Sequence, residues 1–218
     1  MKGLATGSLA CVLLVCAPWP TSAEDLAPPS YRGDAFSTTQ EWDFVTSGTL
    51  ETGFYLAPDG VGGITNNPFG DATATIYEGS WHSGDGPGPG GAWYTDLLEF
   101  VVPGGGPSGP ATYRLLRLQA TFYDPQGREP NVLVFDDFVE QGASTEPIGD
   151  DWWHFTQDWR SEPNADSEIV RIWNPTGDPL GYGFSEVVID TLAVPEPAAL
   201  LLLALSVLVV SVARRGAW

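Results

Sequence analysis

The sequence predicts an all-β fold for the long middle part of the chain. Short runs in which apolar and polar residues alternate recur there, and Gly, Pro, Asn and Asp separate them. Helical periodicity is absent outside the two terminal apolar segments, so no helical crossover connects the runs. Many short strands joined by tight turns pack well as two antiparallel sheets, and we therefore predict an antiparallel β-sandwich of jelly-roll-like form.

Nine segments are the candidate strands: Glu41–Thr46, Thr52–Ala57, Ala72–Tyr77, Ala92–Val102, Thr112–Tyr123, Val132–Val139, Trp152–Gln157, Glu168–Trp173 and Phe184–Val194. The clearest alternation lies in Thr112–Tyr123. Its inward face is predicted to carry Leu116, Leu118, Ala120 and Phe122, and its wet face Arg117, Gln119 and Thr121. In Glu41–Thr46, Trp42 and Phe44 are predicted to pack, whereas Glu41 and Asp43 are predicted to face water.

The N-terminus has the three parts of a secretory signal. Lys2 is the charged residue, Leu4–Ala17 is the apolar run, and Thr21–Ala23 offers small residues for cleavage. We predict a signal peptide at 1–23, which leaves a β-sandwich domain at 24–194. The chain's two cysteines, Cys11 and Cys16, would leave with the signal. Lipidation at one of them is the alternative, disfavoured by the bulky Val15 before Cys16.

The C-terminus at 195–218 has an equally clear order. Pro195, Glu196 and Pro197 form a stiff, extended element, because each proline fixes φ and lacks an amide donor. The 16 residues Ala198–Ala213 carry no charge, and Arg214 and Arg215 follow directly. This length suits a short transmembrane helix, and the arginine pair suits a cytoplasmic flank. We predict that residues 198–213 cross the membrane while the domain lies on the other side.

This order resembles the PEP-CTERM sorting signal of exported proteins from Gram-negative bacteria, carried here by Pro195, Glu196, Pro197, Arg214 and Arg215 around the apolar run. The resemblance implies recognition and processing by exosortase, an integral-membrane protease, in bacteria that make extracellular polysaccharide. It implies a chain that is anchored before processing and then reaches the cell surface or matrix. The alternative is an ordinary C-terminal anchor, which does not require Glu196 between the prolines.

The charge of the chain restricts its partners. The net charge is −19, and only six arginines lie in the domain, between Arg32 and Arg171. Such a surface repels nucleic acid, so we predict no nucleic-acid partner. Neutral glycans and divalent cations remain compatible with this acidic surface. A need for solubility alone would also explain the negative charge. Asp136-Asp137 and Asp150-Asp151 are the candidates for a structural calcium ion.

No catalytic constellation is recognisable. His82 and His154 are the only histidines, and no Gly-x-Ser-x-Gly elbow supplies a nucleophile. The spacing selects no pair among the acidic residues Glu51, Glu99, Glu140, Glu168 and Glu186, although pairs of carboxylates hydrolyse glycosides. We therefore predict no catalytic residues, no metal site and no cofactor. A polysaccharide hydrolase or lyase on the same fold is the alternative.

Tryptophan is the stronger functional signal, with seven in the domain. Indole rings stack on the apolar faces of sugars, and acidic neighbours accept from sugar hydroxyls. Trp152, Trp153 and Trp159 lie among aspartates and are our candidate glycan-binding residues; packing in the core is the alternative. The end of the last strand, with Ile189-Asp190, resembles the final strand of jelly-roll carbohydrate-binding modules. The expected function is that of an exported, non-enzymatic surface or matrix protein that binds extracellular polysaccharide.

Overall fold

The computed structural model describes residues 26–44, 54–56, 67–84, 91–106, 112–135, 137–162, 167–174 and 182–195. These residues form strands and no helix, which confirms the predicted all-β class. The ten strands are β1 (Ser37–Trp42), β2 (Phe54–Leu56), β3 (Thr73–Ser83), β4 (Gly91–Pro103), β5 (Thr112–Tyr123), β6 (Asn131–Val134), β7 (Phe138–Gly149), β8 (Trp152–Ser161), β9 (Ser167–Trp173) and β10 (Tyr182–Pro195).

The predicted signal peptide at 1–23 and the predicted membrane helix at 198–213 lie outside the described residues. Over the ranges that are described, no helix has the length and apolar character needed to cross a membrane.

Every pair of neighbouring strands is antiparallel, and the sheet has two halves. The first half has the order β1-β10-β5-β8-β7, and the second has the order β2-β3-β4-β9-β6. They join where residues 182–184 of β10 pair with residues 93–95 of β4. Farther along, the same edge of β10 pairs with β1 instead. Strand β10 is therefore the element that connects the two halves.

Both halves contribute to one hydrophobic core. The ring of Trp42 on β1 lies 4.7 Å from that of Phe100 on β4, so the halves meet through aromatic contact. The inward residues predicted for β5 all belong to this core: Leu116, Leu118, Ala120 and Phe122. Near the other end of the strands, the buried Arg114 of β5 forms an ion pair with the buried Glu168 of β9. The two halves are thus joined by both apolar and charged contacts.

Part of the outer face of the first half is covered, and the prediction that Gln119 and Glu41 face water is wrong. The segment Leu26–Phe36 crosses this face: the Ala27 N–H donates to Gln119 Oε1 at 2.9 Å, and Arg117 donates to the Ala27 carbonyl at 3.1 Å. Gln119 is consequently 1% exposed. Glu41 is also buried, at 6% exposed. The alternation of apolar and polar residues correctly predicted which face of these strands packs in the core. It could not predict that the N-terminal segment covers part of the opposite face.

Several strand bounds also differ from the prediction: β1 begins and ends four residues earlier, β3 continues to Ser83 and β8 continues to Ser161. The predicted strand Val132–Val139 divides into β6 and β7 at Asp137, whose φ of 58° interrupts extended backbone. Strand β7 then continues to Gly149 through a polar, largely exposed stretch that contains Pro147. It lies at the sheet edge and pairs only with β8 among the described strands. An edge strand needs no buried face, so no alternation marked it in the sequence.

Candidate functional site

Four aromatic side chains follow one another across the outer face of the sheet, near one end of the strands. His82 comes from β3, Tyr94 from β4, Tyr123 from β5 and Trp152 from β8. Successive ring centroids lie 4.8 Å, 6.2 Å and 5.6 Å apart. We call these four residues the aromatic row. The row crosses the junction between the two halves, so neither half alone could form it.

Strand β10 passes through the row at Gly183. This glycine pairs with Tyr94 on one side and with Tyr123 on the other. A Cβ at this position would lie 2.8 Å from two ring carbons of Tyr94, so the tyrosine ring rests where a side chain would otherwise project. The lack of a side chain at Gly183 therefore allows the aromatic row to continue across β10.

The row is partly open to solvent. His82 is exposed, Tyr94 and Tyr123 are half-buried, and Trp152 is 9% exposed. The His82 ring also lies within hydrogen-bond distance of Ser80 Oγ, at 3.0 Å. Partly exposed aromatic rings in sequence across a strand face provide apolar surface for a ligand with flat apolar faces, such as a sugar.

Three buried carboxyl groups lie next to the row, where the edge of β10 changes from pairing with β4 to pairing with β1. A bulge between Phe184 and Glu186 marks this change. Oxygen atoms of Glu41, Asp43 and Glu186 all lie within 4.8 Å of one another, and each residue is at most 7% exposed. We call them the carboxyl trio. No spacing in the sequence points to it, because Glu186 is far along the chain from the other two.

The carboxyl trio contains one strongly perturbed acid. Burial, the negative charge of Asp43 and a hydrogen bond to Asp43 together raise the pKa of Glu41 to about 7. A protonated Glu41 donates to the Asp43 carboxylate, which relieves repulsion between them. The trio therefore takes up a proton as the pH falls through about 7. Its acidic oxygens are also the ligand type that calcium prefers, although the acidic cluster alone does not define a metal site.

A second buried network fixes the N-terminal segment to the same face. Arg32 donates through Nε and one terminal nitrogen to the two carboxylate oxygens of Asp190, at 2.8 Å and 2.5 Å. Thr39 Oγ1 donates to the same carboxylate at 2.6 Å. Beside it, a cleft of about 250 Å³ is bordered by Tyr31 and the Arg117–Asp158 ion pair. Every polar group named here has a protein partner, so we assign this network to folding.

The three tryptophans predicted to bind glycan have different positions. Trp152 belongs to the aromatic row. Trp153 packs against the core and donates from its indole to the Asp124 carbonyl at 3.0 Å, and Trp159 lies within the core at 8% exposed. The other row residues, His82, Tyr94 and Tyr123, were absent from the glycan-binding prediction. The sequence did predict the strand that ends at Tyr123. No sequence pattern, however, places Tyr123 beside Trp152 and Tyr94.

Two of the aspartates predicted as calcium candidates lie in a turn, and His154 is buried. Asp150 and Asp151 have φ values of 50° and 64° and form the two-residue turn between β7 and β8, where both positions require positive φ. Burial lowers the pKa of His154, and the charge of Glu146 opposes this shift only in part. Burial therefore favours the neutral imidazole of His154. Asp136 lies outside the described residues.

The predicted sorting signal begins in the last described strand. Pro195 is the final residue of β10 and pairs with Thr112 of β5. Glu196, Pro197, Arg214 and Arg215 lie outside the described residues. The domain thus continues into the proline triplet without an intervening linker.

Comparison with known protein families gives a match on this tail. The family model described as the PEP-CTERM protein-sorting motif matches residues 193–215. No curated protein and no solved structure matches the chain. The motif implies export, passage to the membrane and processing by exosortase. The chain therefore carries a PEP-CTERM protein-sorting motif, the signal of an exported exosortase substrate, and this motif starts within the last described β-strand.

Proposed function

We propose that the domain is a non-enzymatic surface or matrix protein that binds extracellular polysaccharide through the aromatic row. The row spans five neighbouring strands, β3, β4, β10, β5 and β8. The successive centroid distances of 4.8 Å, 6.2 Å and 5.6 Å give the row enough length to contact more than one sugar ring. The proposal includes a jelly-roll-like arrangement, supported by the pairing of the first and last described strands.

The continuity of the row carries this proposal. Sugars bind aromatic rings through their apolar faces, and several successive rings add small contributions along a chain-like ligand. The high content of acidic residues favours a neutral or cationic polysaccharide over an anionic one. Of the three tryptophans predicted from the sequence, Trp152 fits this site. Glycan contact at Trp153 and Trp159 remains a prediction, and their inward positions favour packing.

The rival function is a polysaccharide hydrolase or lyase, and the carboxyl trio is the observation that favours it. Glycoside hydrolysis uses a protonated carboxyl beside an ionised one, and Glu41 beside Asp43 has this character. However, substrate must reach the catalytic carboxyl groups, and all three members of the trio are buried. We therefore prefer the binding function.

Affinity electrophoresis separates the two functions. The protein is run in gels cast with extracellular polysaccharide from the producing bacterium. We expect retardation without release of fragments, and about a tenfold weaker affinity for Tyr94→Ala and Tyr123→Ala, which corresponds to about 1.4 kcal/mol.

Tyr113→Ala is the matched control. Tyr113 lies on the outer face of the same strand as Tyr123, but at its opposite end, beneath the Arg160 guanidinium at 4.0 Å. This variant should bind like the wild type. Equal losses in Tyr113→Ala and Tyr123→Ala would contradict binding at the row, and release of fragments would establish the enzymatic alternative. The absence of retardation would refute glycan binding for that polysaccharide.

A further inference from the structure

The end of the strands opposite the aromatic row is the end from which the sorting motif leaves. Here β10 ends at Pro195, and the apolar run begins three residues later, at Ala198. Three residues span at most roughly 11 Å. If the run lies in a membrane, as its composition predicts, this end of the domain must lie close to the membrane surface.

Two exposed phenylalanines lie at this end. Phe36 is 47% exposed and Phe69 is 36% exposed. The Phe36 carbonyl accepts from the Ala193 N–H at 3.3 Å, which fixes Phe36 beside the last residues of β10. Phe69 lies against Gly105, where an added Cβ would come within 2.0 Å of its ring. Gly106 in turn approaches both Phe36 and Ala193. We call Phe36 and Phe69 the phenylalanine pair.

The backbone holds both residues in place. Phe36 has a φ of 68°, in the left-handed region that bulky side chains rarely adopt. The Phe69 N–H donates to Asn67 Oδ1 at 3.0 Å, and Asn67 Nδ2 donates to the Pro103 carbonyl at 2.7 Å. Neither ring is required to fill the core, because each remains substantially exposed. Such fixed, exposed aromatic side chains are more consistent with contact outside the domain than with folding.

We propose that the phenylalanine pair inserts into the interface of the bilayer that holds the C-terminal apolar run, and so orients the domain before processing. Aromatic side chains beside a membrane anchor favour the boundary between headgroups and acyl chains. The aromatic row lies near the opposite ends of the same strands, about ten residues of β5 away, which is roughly 33 Å. Docking of the phenylalanine pair therefore directs the row away from the membrane. This inference does not depend on what the row binds.

Depth-dependent quenching in vesicles tests the proposal. The full chain, with Cys11→Ser and Cys16→Ser, is reconstituted in phosphatidylcholine vesicles that carry a nitroxide at the headgroup level. One fluorescent label is placed at Asp71→Cys, an exposed position near Phe69, and in a second protein at Gln126→Cys, an exposed position in the turn after Tyr123. We expect strong nitroxide quenching at position 71, and quenching by aqueous iodide but not by nitroxide at position 126.

The pair Phe36→Ser and Phe69→Ser, introduced together in the Asp71→Cys protein, should lower nitroxide quenching at least twofold. Unfolding measurements on the same sample confirm that this variant remains folded. Quenching that is unchanged by the double substitution would overturn the role of the phenylalanine pair. Equal quenching at positions 71 and 126 would overturn the orientation, and failure of the chain to float with the vesicles would overturn membrane docking itself.

Discussion

At the end of the strands where β10 leaves the domain, charged side chains lie inside the core. At the opposite end, aromatic side chains lie on the outside of the sheet. Arg114 and Glu168 form their ion pair between the two halves, with no exposed side-chain surface. The aromatic row runs across the junction of the halves and remains partly open. The same strands thus form a closed, polar interior at one end and an accessible apolar surface at the other.

The difference follows from what each position faces. Arg114 lies on the inward face of β5 with Leu116 and Leu118, and Glu168 lies on the inward face of β9 with Val170. Their charges have little contact with water and stabilise each other. Tyr123, at the other end of β5, lies on the outward face and does not belong to the hydrophobic core. We therefore expect substitutions at the first end to change stability and substitutions at the second to change binding.

The largest effect is expected at the buried ion pair. Arg114→Met leaves the Glu168 carboxylate buried without a compensating charge, so we expect a loss of about 3–5 kcal/mol in the free energy of unfolding, measured by denaturant titration. Adding Glu168→Leu should recover much of this loss, because two apolar side chains then replace the pair.

Arg171→Met is the matched control for that experiment. Arg171 pairs with Glu99 through Nε at 2.6 Å, but its side chain is 42% exposed. A solvent-exposed pair contributes only about 0–1 kcal/mol, so this variant should be nearly as stable as the wild type. If Arg114→Met and Arg171→Met lowered the free energy of unfolding by similar amounts, burial would not explain the contribution of the Arg114–Glu168 pair.

The next effect concerns pH and the carboxyl trio beside the aromatic row. The Glu41 pKa is about 7 in the folded protein, above its ordinary value of 4.5. The folded state therefore holds a proton that the unfolded state releases between these pH values. The resulting contribution to stability is complete below about pH 4.5 and is lost as pH rises through 7. At about 1.4 kcal/mol per pKa unit, the loss is on the order of 3 kcal/mol.

Glu41→Gln should remove this pH dependence, because the amide does not ionise and can still donate to Asp43. Denaturant unfolding at several pH values between 4 and 8 should show a flatter profile for this variant and a higher stability than the wild type at pH 8. Glu140→Gln, at an exposed position of edge strand β7, should keep the wild-type profile. A steep decline that persists in Glu41→Gln would assign the dependence to another group.

The smallest effect is expected from one added methyl group within the row. Gly183→Ala places a Cβ 2.8 Å from the Tyr94 ring, so the ring must shift from its place in the row. We expect a several-fold weaker retardation in polysaccharide gels, with a stability loss of about 1 kcal/mol. Gly142→Ala, where an added Cβ meets no atom within 4 Å, should change neither property. Unchanged binding in Gly183→Ala would show that an uninterrupted row is unnecessary.

Much of the strand content follows from local pattern. Strand β5 has the predicted bounds because its alternation is strong and its inward residues all pack in the core. Strand β7 could not be predicted in the same way, because an edge strand with exposed residues on both faces has no hydrophobic period. The burial of Gln119 was equally unpredictable, since it depends on the N-terminal segment that crosses the sheet.

The two functional features also differ in whether local sequence could predict them. The sorting motif is a contiguous signal, read from prolines, an apolar run and two arginines, and the match to residues 193–215 confirms it. The aromatic row is assembled from four strands and requires a glycine on a fifth, so its members are neighbours only through strand pairing. The sequence by itself determined the all-β class and the export route, because both depend on local composition and periodicity. Only the tertiary structure decided which acids are buried and which aromatic residues meet, because those properties depend on strand order, register and the segment that covers the sheet.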